Sequence, residues 1–282
     1  MKLLSVILPL IILSSLCYSQ QFIFKRSFGE FENASSFYIN SAGIVYVTDN
    51  TTDEVYQVDT LGNELAFIGG YGWETYTFDD PVDVFADPLQ VIVTDKNNHR
   101  IKRFDKNLNF IFEIYTRDNE IEEQRFGYPL SAVQSNLGDI FILDSENKRI
   151  IKFDPFGKFI QTIGGYDYGN FTLNNPRKLA ISMQNNIYVI DETNIYIYDN
   201  YGTGLGSIEV EEEMTSIRII FNWLTINSQD RIYLANLKSK DNKLNEAVLD
   251  GFDKKFEIVS SLIFNGKLYI LTPKTILIYT PQ

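Results

Sequence analysis

One histidine, His99, and one cysteine, Cys17, are the whole supply of imidazole and thiol in this 282-residue chain. A catalytic zinc held by several imidazoles is therefore excluded, and a Ser-His-Asp triad would have to use His99. That histidine stands in Asp95-Lys-Asn-Asn-His-Arg100, whose counterpart Asp144-Ser-Glu-Asn-Lys-Arg149 carries Lys148 at the same place. His99 therefore reads as a solvated turn residue. The recurring Asp95, Asn98 and Arg100, with Asp144, Asn147 and Arg149, bring carboxylates next to guanidinium groups. Their recurrence argues for construction: Asp can cap turn amides, and Arg can pair with a neighbouring carboxylate. Function is expected where the copies differ. Two residues after the prolines at 81, 129 and 176 stand three unlike side chains, Asp83, Ser131 and Lys178. If they converge, a small polar or charged ligand could bind among them. Alternatively, Asp83 and Lys178 pair with each other, directly or through water. A calcium site would need several oxygen ligands, and only Asp83 is an evident donor.

The elements that must position these residues repeat. Asp49, Asp95, Asp144 and Asp191 each close an apolar segment, at spacings of 46, 49 and 47 residues. Each period reads as four short strands. An apolar strand follows a loop that ends in Pro, and a more apolar one ends in Asp. An alternating strand such as Arg100–Asp105 comes next, then an outer one such as Phe159–Ile163. A period of 40 to 50 residues built of short strands predicts a β-propeller. Second strands are expected at Ile44–Thr48, Val91–Thr94, Ile140–Leu143, Ile187–Ile190, Ile232–Ala235 and Leu268–Leu271. The expected fold is therefore all-β, a six-bladed β-propeller of four-stranded antiparallel blades. The chain stops one strand short, and Phe22–Phe28 resembles the missing outer strand. The ring is thus expected to be closed by the N-terminal strand, which also protects exposed edges. Unit five is irregular, with a polar stretch at Lys238–Lys243 where a tight turn is expected.

The strand ending in Asp, then Asn98-His-Arg-Ile101 or Asn147-Lys-Arg-Ile150, then Phe-Asp, then Gly-Gly-Tyr at 69–71 and 164–166, resembles the NHL repeat. The likeness covers roughly residues 31–200 and fades beyond. NHL-type propellers include peptide-amidating lyases that use several histidines around a metal, and this chain departs from them in having one. The resemblance also embraces intracellular adaptors, but no RING-type cysteines are present.

Composition fits a sheet protein, with 21 Phe and 17 Tyr suited to pleated, half-buried surfaces. The net charge of -12 argues against nucleic acid, which needs a cationic footprint, and against anionic membrane surfaces. It suits solubility or cationic partners. Lys2, the apolar run Leu3–Leu16 and the small residues Cys17 and Ser19 predict a signal peptide over 1–19, cleaved before Gln20. Residues 20–282 would then form a single propeller domain, secreted or periplasmic, without membrane insertion after cleavage. Asn33-Ala-Ser, Asn50-Thr-Thr and Asn170-Phe-Thr fit the glycosylation sequon.

The copies differ most in the loops from one unit to the next, at 69–81, 115–129 and 164–176. These would display Tyr71, Trp73, Tyr76, Arg125, Tyr128, Tyr166 and Tyr168 on one face. Rigid aromatics with polar tips suit an interface, though they could equally seal adjacent blades. The sequence therefore predicts a non-catalytic binding or scaffold propeller, with no cofactor, recognising a protein, peptide or glycan. The alternative is a hydrolase, lactonase or lyase with a small site at the channel mouth.

Overall fold

Short alternating segments punctuated by Asp and Gly turns become twenty-four strands among the described residues, 20–239, 243–252 and 254–282, of a computed structural model. The leader expected at 1–19 lies outside them. Strand β1 (Gln20–Phe28) precedes a first sheet of β2 (Ala34–Ile39), β3 (Ile44–Asp49), β4 (Glu54–Asp59) and β5 (Glu64–Gly69). The second sheet is β6 (Pro81–Ala86), β7 (Gln90–Asp95), β8 (Arg100–Asp105) and β9 (Phe110–Tyr115). The third is β10 (Pro129–Gln134), β11 (Ile140–Asp144), β12 (Arg149–Phe153) and β13 (Phe159–Ile163). The fourth is β14 (Pro176–Ile181), β15 (Ile187–Asp191), β16 (Asn194–Tyr198) and β17 (Gly204–Glu209). After these come β18 (Ser216–Ile220), β19 (Trp223–Asn227), β20 (Ile232–Asn236) and β21 (Asn245–Asp250). The last strands are β22 (Ser260–Phe264), β23 (Lys267–Leu271) and β24 (Ile276–Pro281).

Four sheets are separate antiparallel meanders of four strands, and the fold is an all-β propeller. The remaining eight strands form one sheet in the order β18-β19-β20-β21-β1-β24-β23-β22. This differs from the expected set of separate blades. Strand β1 pairs antiparallel with β24, Phe22 opposite Pro281 through Phe28 opposite Ile276. It also pairs parallel with β21, Gln20–Ile23 beside Ala247–Asp250. The cause is local. Pairing of β21 with β20 is short, confined to Asn245 and Glu246, and the other edge of β21 takes the leading residues of β1.

Unit five also departs from expectation. Ile232–Ala235 belongs to a third strand, and the second strand is Trp223–Asn227, which closes in Asn where the first four units have Asp. The polar stretch from Lys238 therefore joins third and outer strands, and residues 240–242 of it lie outside the described set.

The repeated Asp explains how the loops are held. Asp49 Oδ2 accepts the amides of Glu32 (2.7 Å) and Asn33 (2.9 Å). Asp95 takes that of Asp79 (2.8 Å), Asp144 that of Gly127 (3.1 Å) and Asp191 those of Asn174 and Asn175. Each carboxylate latches the loop arriving from the previous sheet, satisfying buried amides that would otherwise be costly. Arg100 Nε (2.7 Å) and Asn98 complete the set on Asp95, as Arg149 and Asn147 do on Asp144. The residue expected to be a mere turn position is one: Asp53, His99 and Lys148 all have φ between 52° and 56°, a left-handed conformation set by the turn. Between the sheets lie interleaved cores such as Phe126, Phe153, Leu173 and Tyr198, each large side chain contributing roughly 1.5–3 kcal/mol on burial.

Candidate functional site

Inner strands β2, β6, β10 and β14 share an irregularity: register shifts between their first and third residues. A bulge of this kind re-aims the side chain that follows it. The third residues are Ser36, Asp83, Ser131 and Lys178, so the three unlike residues singled out from sequence are brought together, with Ser36 as a fourth. Arg218 of β18 joins them. Lys178 Nζ lies 2.9 Å and Arg218 Nη2 2.8 Å from Asp83 Oδ1, to which Ser36 Oγ also donates (2.8 Å). Ser131 Oγ donates to Asp83 Oδ2. Arg218 is further held by the Phe37 carbonyl (3.1 Å) and Ser36 Oγ (2.5 Å). All five side chains are buried.

An ionised carboxylate has about four acceptor positions, and here three donors converge on Oδ1 and one on Oδ2. Burial pushes the Asp83 carboxyl up, but Arg218, Lys178 and Ser131 outweigh it and hold it down at about 2. Burial pushes the Lys178 ammonium down to about 8, with Asp83 opposing and Arg218 reinforcing the fall. The cluster is a buried ion-pair hub in which Asp83 is the shared acceptor. Toward the opposite face, Tyr38 packs on Phe85 (centroids 5.0 Å), beside a cavity of about 180 Å³ that Asn40, Gln134 and Phe221 help to line.

Sequence missed Ser36 and Arg218 because neither follows a loop proline. The signal was present as alternation, in Ala34-Ser-Ser36 and Ser216-Ile-Arg218, but it needed the bulge register to be seen.

The loop residues divide into held and free. Trp73 is 53% exposed, with the Arg100 guanidinium 4.7 Å from its ring centre and Tyr115 edge-on at 5.8 Å. Its loop is gripped from beneath: Lys102 Nζ donates to the carbonyls of Glu74 (2.7 Å), Thr75 (2.9 Å) and Thr77 (2.6 Å). Burial, then the neighbouring Arg100, push the Lys102 ammonium down to about 8. Tyr76 lies near Phe104 (6.3 Å). Tyr128 stacks edge-on with His99 at 4.2 Å and donates its backbone N–H to His99 Nδ1 (3.0 Å). Arg125 turns back on its own loop, donating to the Asn119 carbonyl (2.5 Å). Tyr168 is half-buried against Tyr198 (6.3 Å). Tyr71 and Tyr166, 78% and 92% exposed, stack on no aromatic ring among the described residues. Tyr168 and Tyr128 thus serve packing, whereas Tyr71, Tyr166 and one side of Trp73 face solvent.

No family model matches the chain. Over 145 residues it is 30% identical to Protein brain tumor of Drosophila melanogaster, a match covering 49% of this chain and 13% of that protein. The chain thus spans about an eighth of that relative's length. Among solved structures it is similar to a streptogramin B lyase, with TM-score 0.64 and 13% identity over 91% of this chain and 97% of the other. It is similar also to virginiamycin B lyase from Staphylococcus aureus, with TM-score 0.63 and 14% identity over 91% and 99%. At such identities the likeness shows the propeller fold and nothing of chemistry. Among the described residues, no three His, Cys, Asp or Glu side chains are grouped to hold a metal ion.

Proposed function

We propose that the protein is an exported six-bladed propeller of NHL type that works by binding, with a protein, peptide or glycan partner docking on its aromatic loop face. The observation that carries this reading is the pairing of rigid loops with bare rings. Asp95, Arg100 and Lys102 clamp the loop that bears Tyr71 and Trp73, and ordered aromatics of this kind lose little entropy on contact. The six-blade count is supported by the inner strands, which pack in cyclic order β2, β6, β10, β14, β18, β22 and back to β2. The eight-stranded sheet then counts as two blades sharing the β1–β21 seam. Export rests on the leader-like residues 1–19.

A lyase at the channel mouth has only the fold likeness behind it. One inactive form of the S. aureus lyase carries alanine in place of a histidine, while His99 here accepts a backbone amide in a turn.

Pull-down from the native source with the wild type and with Trp73→Ala, Tyr166→Ala and Tyr168→Ala tests the assignment. Loss of partners with Trp73→Ala and Tyr166→Ala, in variants that melt like the wild type, is the expected result. An unchanged partner set in all three would make the rings purely structural.

A further inference from the structure

The charge of this protein is not spread evenly over its two faces. The loops between sheets and the turns after second strands share the aromatic face, as the bond from Tyr128 N–H to His99 and that from Lys96 N–H to the Asp80 carbonyl show. Carboxylates outnumber cations on this face: Arg125, Lys148, Lys254 and Lys255 are exposed without an ion pair among the described residues, and the other cations are already engaged. Lys96 pairs with Asp80 (2.7 Å), Arg117 with Glu146 (2.5 Å) and Arg177 with Glu213 (2.5 Å). Carboxylates remain in surplus. Glu74, Glu120, Glu122, Glu123, Asp167 and Glu211 are exposed and make no ion pair among the described residues. They lie on the same loops as the bare Tyr71 and Tyr166 or on neighbouring ones. The turns of the opposite face present apolar tips instead, among them Leu89, Leu137 and Phe156, the last 90% exposed.

The loops also display the binding mode within the chain. Arg100 lies 4.7 Å from the centre of the Trp73 ring and Arg117 5.8 Å from that of Tyr128, both within cation–π range. Trp73 is still half-open to solvent, and Tyr71 and Tyr166 have no such cation among the described residues. Bare π faces beside unpaired carboxylates form a surface complementary to guanidinium and ammonium groups, with the carboxylates steering the approach and the rings receiving the cations.

We infer that the partner of this face is an arginine- and lysine-rich segment of another polypeptide, an inference that rests on the binding reading above. The probes are three labelled 16-residue peptides, alternating Arg-Gly, Gln-Gly and Glu-Gly, titrated into the full chain at 50 and 300 mM NaCl. Saturable binding of the Arg-Gly peptide alone is expected, weakening on the order of tenfold at the higher salt. Tyr71→Ala and Tyr166→Ala are each expected to weaken it about two- to fivefold, and the triple change Glu120→Gln, Glu122→Gln, Glu123→Gln to weaken it further. Equal binding of the Arg-Gly and Gln-Gly peptides at 50 mM NaCl overturns the inference. So does Arg-Gly binding that ignores both tyrosine variants, which would be unspecific attraction to a polyanion. If the Arg-Gly peptide fails while Tyr166→Ala still loses native partners, the face binds something uncharged and only the cationic assignment falls. If neither responds, both fall.

Discussion

His99 is the single imidazole of the chain, so its ring resonances can be assigned by uniqueness. Nδ1 accepts the Tyr128 N–H, which places the neutral ring's proton on Nε2. Protonating Nδ1 would set two donors against each other. Burial, and after it the Arg117 guanidinium, push the pKa below the usual 6.5, with Glu146 partly opposing. An NMR titration is expected to show a midpoint below that of a free imidazole. The folded state takes the proton less readily than the unfolded chain. The His99 contribution to stability is therefore intact above about pH 6.5 and is lost as pH falls through the depressed folded value. A midpoint at the free-imidazole value would mean that the ring is neither buried nor close to Arg117 in solution. Sequence comparison with Lys148 correctly marked His99 as a turn residue, because the left-handed turn position depends on backbone geometry. The bond to Tyr128 was not legible, since the two residues are 29 apart and meet only when neighbouring sheets pack.

At the scale of elements, the loop that bears Trp73 depends on one strand residue. Lys102 on β8 is buried, and its ammonium meets three carbonyls of that loop. Lys102→Met keeps the length of the side chain and leaves those carbonyls without their donor, a cost of about 1–3 kcal/mol for an unsatisfied group. The expected outcome is faster amide exchange over residues 72–78 and a red-shifted Trp73 emission, read in a Trp223→Phe background. The melting temperature is expected to fall by only a few degrees, because the sheet itself is untouched. Unchanged exchange in this loop would show that Arg100 suffices to hold it. The repeat hid this device: nothing in the alternating strand Arg100–Asp105 marks Lys102, and only the way the preceding loop folds over β8 buries it.

The whole molecule is tied at Asp83. Its carboxylate, with the residues bound to it, joins inner strands β2, β6, β10, β14 and β18, so one side chain spans five of the units around the axis. Removing it leaves Lys178 and Arg218 buried without their counter-charge. Asp83→Ala is therefore expected to cost about 3–5 kcal/mol, measured by urea unfolding, whereas Lys178→Met, which leaves the Arg218 pair intact, should cost much less. Equal and small losses would mean that water reaches the hub. The acid side has a definite sign as well. Because the folded carboxyl is held at about 2 against an ordinary 3.8, the Asp83 contribution is complete above about pH 4 and is lost as pH falls through its folded value.

The sequence alone determined the repeat unit, the recurring Asp at the end of its second strand, and the strand that the N-terminus supplies, because these are local patterns copied at a fixed period. That the Asp latches the incoming loop was decided by tertiary structure. Sequence also placed Asp83, Ser131 and Lys178 at one equivalent position, again through the repeat. Tertiary structure decided what they do there. Side-chain bonding around the axis depends on the bulge register of each inner strand and on Arg218, which comes from the unit whose pattern has decayed. The joining of β21 to β1 was likewise invisible in the pattern, since a parallel seam between strands more than 200 residues apart leaves no mark in local alternation. The division of the aromatic loop residues into packed and bare was also settled by contacts between sheets, through Arg100 beneath Trp73, His99 against Tyr128 and Tyr198 against Tyr168.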